Sequence, residues 1–520
     1  MTDVRILSEP LGGTPLSLLI QRGDAPSEWL RGTPIGRDAW RQLAAERARA
    51  TDWNASWTIL EPALAASGAA AVRLDRVRRE GGVVVTTGQQ PGLFGGPIYT
   101  WTKAVGALAL ADAIERATGV ATAAIFWAAT DDADFIEASS TVVARVGGAD
   151  RIVQRDEPEP GTPMSLAPLG DLGAQLAVLT AACGSAADPR PLEAVRRAYG
   201  DPRRTVGDAY VQLLRDLLAP IGVPVLDASH PAVLQATQPV LHDALRSAPA
   251  VERALRERTD ELRAAGFEPQ VEDMPGLALV FARDGARKRR LTLNERVTDG
   301  VALTPNVLLR PIVEHAILPT VAYWAGPGEL AYFAQVSAVA TAIGRPVPLA
   351  VPRWSCMLLE PHVTTVLQRL GLQPDDLRLP HAAERRLARE AMNPRTAAGL
   401  AALRADVAAL GDRLGSEPRE LGLDAVVTGA IGSLQHRLDR LERRLLAGVA
   451  RRESERMRDL GTARGALYPF GGRQERTLNL VPILARHGMA LLEELHAAAS
   501  GYTDEIVDGV ATRVAATPVA

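Results

Sequence analysis

The stretch Val83-Val-Val-Thr-Thr-Gly-Gln-Gln-Pro-Gly-Leu-Phe-Gly-Gly-Pro-Ile-Tyr-Thr-Trp-Thr-Lys103 decides how this chain is read. Val83 to Val85 is a short β-branched run, the pattern of a buried strand. A loop carrying Gly88, Gly92, Gly95 and Gly96 follows it. Pro97 then opens an apolar segment through Val105, Leu108 and Leu110 to Ile114. Proline suits the first turn of a helix because its missing N–H needs no partner there. The spacing predicts a strand, a glycine loop and a helix N-terminus, a unit that offers backbone N–H groups and a partial positive charge to an anion. The loop is neither a Walker A sequence nor the Gly-x-Gly-x-x-Gly dinucleotide fingerprint. A tight turn that simply needs positive φ is the alternative reading. Gln89 and Gln90 favour a site, because amides at the C-terminal edge of a strand both donate and accept. Lys103, further along the helix, either snorkels to solvent or reaches back to a phosphate or carboxylate.

Working outward, Ala121 to Ala128 reads as the second strand of a βαβ unit, laid parallel beside the first. Asp131, Asp132 and Asp134 sit just past it, on the rim where open parallel sheets bind ligands. As carboxylates they could bind an amine, hold Mg²⁺ or act as a general base; capping a helix N-terminus is the structural alternative. Gly222 to Asp227 looks like another buried strand, and Val271 to Leu293 like a hairpin in an inserted subdomain. The core resumes at Thr304. Asn306 and Arg310 precede Pro311, and Arg310 is either a carboxylate or phosphate clamp or half of a surface ion pair. Tyr323 to Gln335 repeats the strand, turn and helix pattern. Its turn holds Gly326 and Gly328, and offsets of three place Glu329, Tyr332 and Gln335 on one helix face.

The composition excludes several classes. The chain has 520 residues, 47% of them hydrophobic, with a net charge of −3, so no basic field draws it to nucleic acid or membrane. Arginine greatly outnumbers lysine, as in high-GC genomes. Two cysteines without a CxxC pattern provide neither a disulfide framework nor a zinc knuckle. Eight histidines lack metal-ligand spacing, so no metal is assigned, and His315 reads as a polar surface or core residue. No signal pattern and no apolar run of roughly 18 residues appears, so a cytoplasmic protein is expected. There is no Gly-x-Ser-x-Gly elbow for a serine hydrolase.

The two ends have their own texture. Residues 1 to about 80 look helical, with Trp29, Trp40, Trp53 and Trp57 as packing anchors. Later, Leu403, Val407, Leu410 and Leu414 form one stripe, and Ile431, Leu434, Leu438, Leu441 and Leu445 another. Gly415, Pro418 and Gly422 lie between them, which predicts an antiparallel helical hairpin. Such a narrow stripe is expected to pair beyond its own hairpin, as a homodimer, with docking on the protein's own core as the alternative. The expected division is a core over 1–375, with insertions at about 150–220 and 240–300, a coiled-coil domain over 376–462, and a segment over 463–520 that returns to the core. The polar stretch Leu467 to Asn479 is expected to cover the site, followed by a helix from Pro482 to about Ala499.

Thr87 to Pro97, Phe126 to Phe135, Asn306 to Pro311, Ala325 to Tyr332, Pro352-Arg-Trp-Ser355 and Gln474-Glu-Arg476 occur in this order. The set resembles the bacillithiol-biosynthesis cysteine-adding enzymes, the BshC family. The resemblance implies an α/β fold, a Rossmann-like parallel-sheet core with inserted connecting subdomains, plus an α-helical antiparallel coiled-coil domain that dimerises. It implies amide formation between the carboxylate of cysteine and the amine of glucosaminyl malate. The ligase chemistry and the fold imply ATP (or bound ADP), although no motif specifies a nucleotide. On this reading Asp131, Asp132 and Asp134 are the catalytic group. Gly88, Gln89, Gln90, Gly92, Gly95, Lys103, Asn306, Arg310, Gly326, Gly328, Glu329 and Tyr332 bind substrate or nucleotide. The chain departs from the family's Glu-Asp-His-Asp motif, with Ala133 in place of the histidine. The rival readings are a ligase for another amino sugar or small acid, and a non-catalytic nucleotide-binding coiled-coil dimer.

Overall fold

The computed structural model describes residues 2–154, 157–284, 287–298 and 300–510. The chain divides into two compact units. The first comprises Met1–Val143, Arg151–Leu358 and Glu475–Ala520; the second comprises Ala144–Asp150 and Leu359–Gln474.

The first unit is built on five parallel strands. These are β1 (Val83–Gln89), β2 (Thr122–Ala128), β3 (Val225–Asp227), β7 (Thr320–Ala325) and β8 (Ala350–Pro352), in the spatial order β8-β7-β1-β2-β3. β1 occupies the centre, and Val83 to Thr87 are fully buried, which is why its sequence is apolar without alternation. Helix α1 (Ile98–Thr118) returns the chain from β1 to β2. It is buried on nearly all sides, and Gly106 lets it approach the sheet: a Cβ there would lie 2.6 Å from the Trp324 indole nitrogen.

Between β3 and β7 the chain forms a separate antiparallel sheet of β4 (Leu277–Asp284), β5 (Arg287–Thr292) and β6 (Leu303–Pro305). The expected hairpin is therefore present, with a third strand added, and its turn residues 285–286 lie outside the described residues. Thr304 belongs to this small sheet and not to the resumed core. Its pairing with Phe281 is local, so the run at 303–305 could not be told from a core strand by composition.

Helices α2 (Phe135–Ala138), α3 (Arg310–Ile317) and α4 (Pro327–Ala342) sit at the carboxyl ends of the strands. Four helices lie within the first eighty residues, and Trp29, Trp40 and Trp53 are buried among them, with Trp57 edge-on to Trp53. The expected helix after Pro482 is two helices, Val481–His487 and α8 (Ala490–Asp508), separated where Gly488 adopts φ 90°. α8 packs along α1. Residues 511–520 lie outside the described residues.

The second unit is helical. Its main members are α5 (Pro394–Ala408), α6 (Asp424–Arg452) and α7 (Ser454–Leu467). The hairpin is antiparallel: Arg404 meets Asp439 and Glu442, while Gly411 lies against Ile431. Much of the apolar stripe remains exposed. Leu403, Leu414, Leu434 and Leu441 show 48%, 46%, 38% and 44% of their surface.

Candidate active site

A cavity of about 420 Å³ opens over the carboxyl ends of β1, β2 and β7. It is lined by Gly88, Gln89, Gln90, Tyr99, Lys103, Trp127, Ala129, Glu137, Gln270, Val271, Val307, Arg310, Tyr323, Gly326, Pro327, Gly328, Glu329, Tyr332, Arg353 and Arg476. Three features of the sequence build its floor. β1 ends at Gln89 with Gln90 just past it, α1 presents Tyr99 and Lys103 on successive turns, and the turn after β7 starts α4 with Glu329 in its first turn.

Lys103 anchors the arrangement. Its ammonium, with 3% of the side chain exposed, donates to the Gly88 carbonyl (2.6 Å), Glu329 Oε1 (2.8 Å) and Gln89 Oε1 (3.2 Å). Burial lowers its pKa below the ordinary lysine value and outweighs the opposing pull of Glu329. Glu329 is committed on both oxygens. Oε1 also accepts from the Tyr323 hydroxyl (2.7 Å), and Oε2 accepts from the Gly326 N–H (2.5 Å), closing the N-terminus of α4.

The polar chain continues to the cavity mouth. Gln89 Nε2 donates to the Tyr99 hydroxyl (2.9 Å), which donates to Glu137 Oε1 (3.2 Å). Gln90 Nε2 donates to the other oxygen of Glu137. Desolvation pushes the Glu137 carboxyl up, helped by Asp134 and Asp132, although the Tyr99 hydrogen bond and Arg476 oppose it. On the opposite wall, Arg353 and Glu475 form a bidentate ion pair (2.9 and 2.8 Å), each with 1% of its side chain exposed. The Arg353 and Arg476 guanidinium groups lie 5.8 and 5.6 Å from the Tyr99 ring centre.

Nine of the sequence candidates line this cavity together: Gly88, Gln89, Gln90, Lys103, Arg310, Gly326, Gly328, Glu329 and Tyr332. The others do not. Gly92 and Gly95 belong to a turn closed on itself. Gly95 and Gly96 donate to the Gly92 and Leu93 carbonyls, and the Asn479 amide donates to the carbonyls of Leu93 and Phe94. The first N–H of α1, at Ile98, is given to the Leu478 carbonyl. The N–H groups of Gly95, Gly96 and Ile98 are therefore spent on the fold, and the tight-turn alternative describes Gly95 and Gly96, both at positive φ. Asn306 accepts from the Leu308 and Leu309 N–H groups ahead of α3.

The acidic cluster is also occupied structurally. Lys288 donates to the Asp131 carbonyl (2.5 Å) and lies 3.1 Å from its carboxylate, while Arg310 lies 4.0 Å from Asp131 and 3.7 Å from Asp132. Burial would raise the Asp131 carboxyl, but Lys288 and Arg310 prevail and hold it below the ordinary range. Asp132 accepts from the Asp134 N–H, and Asp134 caps α2 by accepting from the Glu137 N–H (3.1 Å). None of the three lines the cavity. The capping alternative thus describes Asp134, because its oxygen is spent on the first turn of α2. Arg310 reaches the cavity, but its charge is already met by Asp131 and Asp132.

Sequence reasoning gave no role to Tyr99, Glu137, Arg353 or Arg476. Arg353 and Arg476 stood in quoted motifs, and Glu137 follows Asp134 by the three residues that separate a cap from the N–H it binds. Beside the site, Glu314 on α3 is 1% exposed and neither oxygen has a well-formed hydrogen bond; burial pushes its carboxyl up to about 8. Among the described residues, no group of three or more His, Cys, Asp or Glu side chains is arranged to hold a metal. None of their helices is long and apolar enough to cross a membrane.

A family model described as "Bacillithiol biosynthesis BshC, N-terminal Rossmann-like domain" matches residues 59–300 and 293–354. A second, "Bacillithiol biosynthesis BshC, C-terminal coiled-coil domain", matches 356–505. Proteins named "Putative cysteine ligase BshC" are similar along most of the chain. That of Koribacter versatilis is 31% identical over 466 residues, covering 84% of this chain and 85% of the relative. That of Solibacter usitatus is 30% identical over 441 residues, covering 80% and 82%.

Proposed function

The chain belongs to the BshC family of bacillithiol biosynthesis, and from that premise we propose that it is a cysteine ligase whose chemistry takes place in the cavity over β1, β2 and β7. The reaction joins the carboxyl carbon of cysteine to the amine of glucosaminyl malate. Amide formation at neutral pH needs an activated carboxyl and a neutral amine. ATP is the proposed source of the activated carboxyl. The observation that carries the reading is the convergence of Lys103, Glu329, Gln89, Tyr99 and Glu137 into one hydrogen-bonded series within the Rossmann-like unit.

That series suits small, highly polar substrates. The paired amides and Tyr99 offer donors and acceptors to sugar hydroxyls. Arg476, exposed at the wall, favours carboxylates. The protein acts, on this proposal, as a cytoplasmic homodimer joined through the exposed stripe of α5 and α6.

The test is direct. Purified protein is incubated with cysteine, glucosaminyl malate and ATP, and the amide product and AMP or ADP are followed by mass spectrometry. Product that depends on all three reactants is expected. Product with plain glucosamine at the same rate would move the substrate assignment to other amino sugars, and no product with either would defeat the ligase reading.

A further inference from the structure

Two carboxylates line the cavity, Glu137 and Glu329, and of the two it is Glu329 that is tied into an ion pair. Glu329 is held by Lys103, Tyr323 and the Gly326 N–H. It is the counter-ion of the buried Lys103 ammonium. Glu137 has neutral donors, the Tyr99 hydroxyl and the Gln90 amide, and no cation at ion-pair distance among the described residues. It stands exposed at the mouth, so a proton it takes can leave to water. We propose that Glu137 is the carboxylate that accepts the proton of the amine nucleophile, an inference that rests on the ligase reading above.

The acidic motif then has a coherent purpose. Asp132 fixes the Asp134 N–H, and Asp134 caps α2 on the Glu137 N–H itself. The cluster builds the single turn that presents the base. In the reaction, the substrate ammonium gives one proton to the Glu137 carboxylate. The nitrogen lone pair attacks the cysteine carboxyl carbon, which a nucleoside triphosphate has activated as a phosphoryl or nucleotidyl ester. The C–N bond forms, the C–O bond to the phosphate breaks, and the phosphate departs with the electron pair. The remaining excess amine proton leaves to water.

The groups facing Glu137 are Tyr99 from α1, Gln90 from β1, Asp132 and Asp134 from the preceding loop, and Arg476 from the C-terminal segment. Glu137 is the cavity carboxylate whose hydrogen-bond donors are all neutral and whose side chain is open to water. The test compares wild type, Glu137→Gln and Glu137→Asp by kcat and KM across pH, with a thermal melt to check folding. Glu137→Gln is expected to lose roughly 100-fold or more in kcat, the size of a positioned base. Its KM for the amino sugar should stay within about threefold of wild type, since a residue acting mainly in the transition state leaves KM largely unchanged. The acid limb of its kcat profile should move up to the pKa of the free amine, and Glu137→Asp should recover part of the rate. A raised KM with kcat and the acid limb unchanged would overturn the inference and leave the ligase reading standing. Absence of wild-type turnover would overturn both.

Discussion

Lys103 is one of two lysines among 58 basic residues, and the other, Lys288, lies against Asp131. Both are largely buried among oxygen acceptors, where a compact ammonium fits and a planar guanidinium does not. Lys103→Arg is therefore expected to destabilise the fold, as is Lys103→Met. Lys103→Met should cost about 3–5 kcal/mol of stability because Glu329 and two acceptors lose their partner, Lys103→Arg about 1–3 kcal/mol through overpacking, and a urea titration reads both losses. Glu314 and His315 give a second prediction at this scale. Burial pushes Glu314 from 4.5 up to about 8 and His315 from 6.5 down to about 3. The folded chain holds the extra Glu314 proton from pH 4.5 to 8, so that group makes stability fall as pH rises through this window. His315 makes stability rise between pH 3 and 6.5, so the two cancel between 4.5 and 6.5 and Glu314 acts alone from 6.5 to 8. Glu314→Gln should remove the decline above pH 6.5, a difference on the order of a few kcal/mol by pH 8 in denaturation curves. An unchanged slope would show that Glu314 is already ionised.

Strand β1, its turn and helix α1 form the element on which the cavity depends. At Gly88 a Cβ would lie 2.8 Å from the Trp127 carbonyl oxygen, which is bound into the β1–β2 ladder. Gly88→Ala should part that ladder, costing about 1–3 kcal/mol and most of the turnover. The one-turn helix α2 separates capping from catalysis. Asn caps a helix as well as Asp does, whereas Ala does not. Asp134→Asn should keep near-wild-type activity, while Asp134→Ala should lose about 1 kcal/mol locally and a larger share of kcat. If Asn is as damaging as Ala, the carboxylate itself is needed. The strand, turn and helix pattern was legible because it rests on local chemistry: β-branched residues, glycines and a proline. The turn's use was not legible. Whether an N–H faces a ligand or the Leu478 carbonyl depends on a segment nearly four hundred residues away in the sequence, which no local pattern encodes.

At the level of the whole chain, one buried ion pair ties the C-terminal segment to the sheet edge. Arg353 follows β8, and Glu475 begins the stretch that returns to the first unit. Arg353→Met would leave Glu475 buried without its cation, an expected loss of about 3–5 kcal/mol, together with Arg476's place on the cavity wall. The heptad stripes foretold the helical hairpin, and its half-exposed leucines support the proposed dimer. Sedimentation should give a dimer for wild type and a monomer for Leu434→Asp with Leu441→Asp. The sequence motifs located nine cavity residues, whereas the three aspartates they read as catalytic do not line the cavity. Asp131 and Asp132 are neutralised by Lys288 and Arg310, charges brought in from β5 and α3. The most direct measurement is a crystal structure of the protein with the amide product bound. The account requires the product in the cavity, its new amide bond between Glu137 and the Lys103–Glu329 pair. Product density at any other place, with this cavity empty, would contradict it.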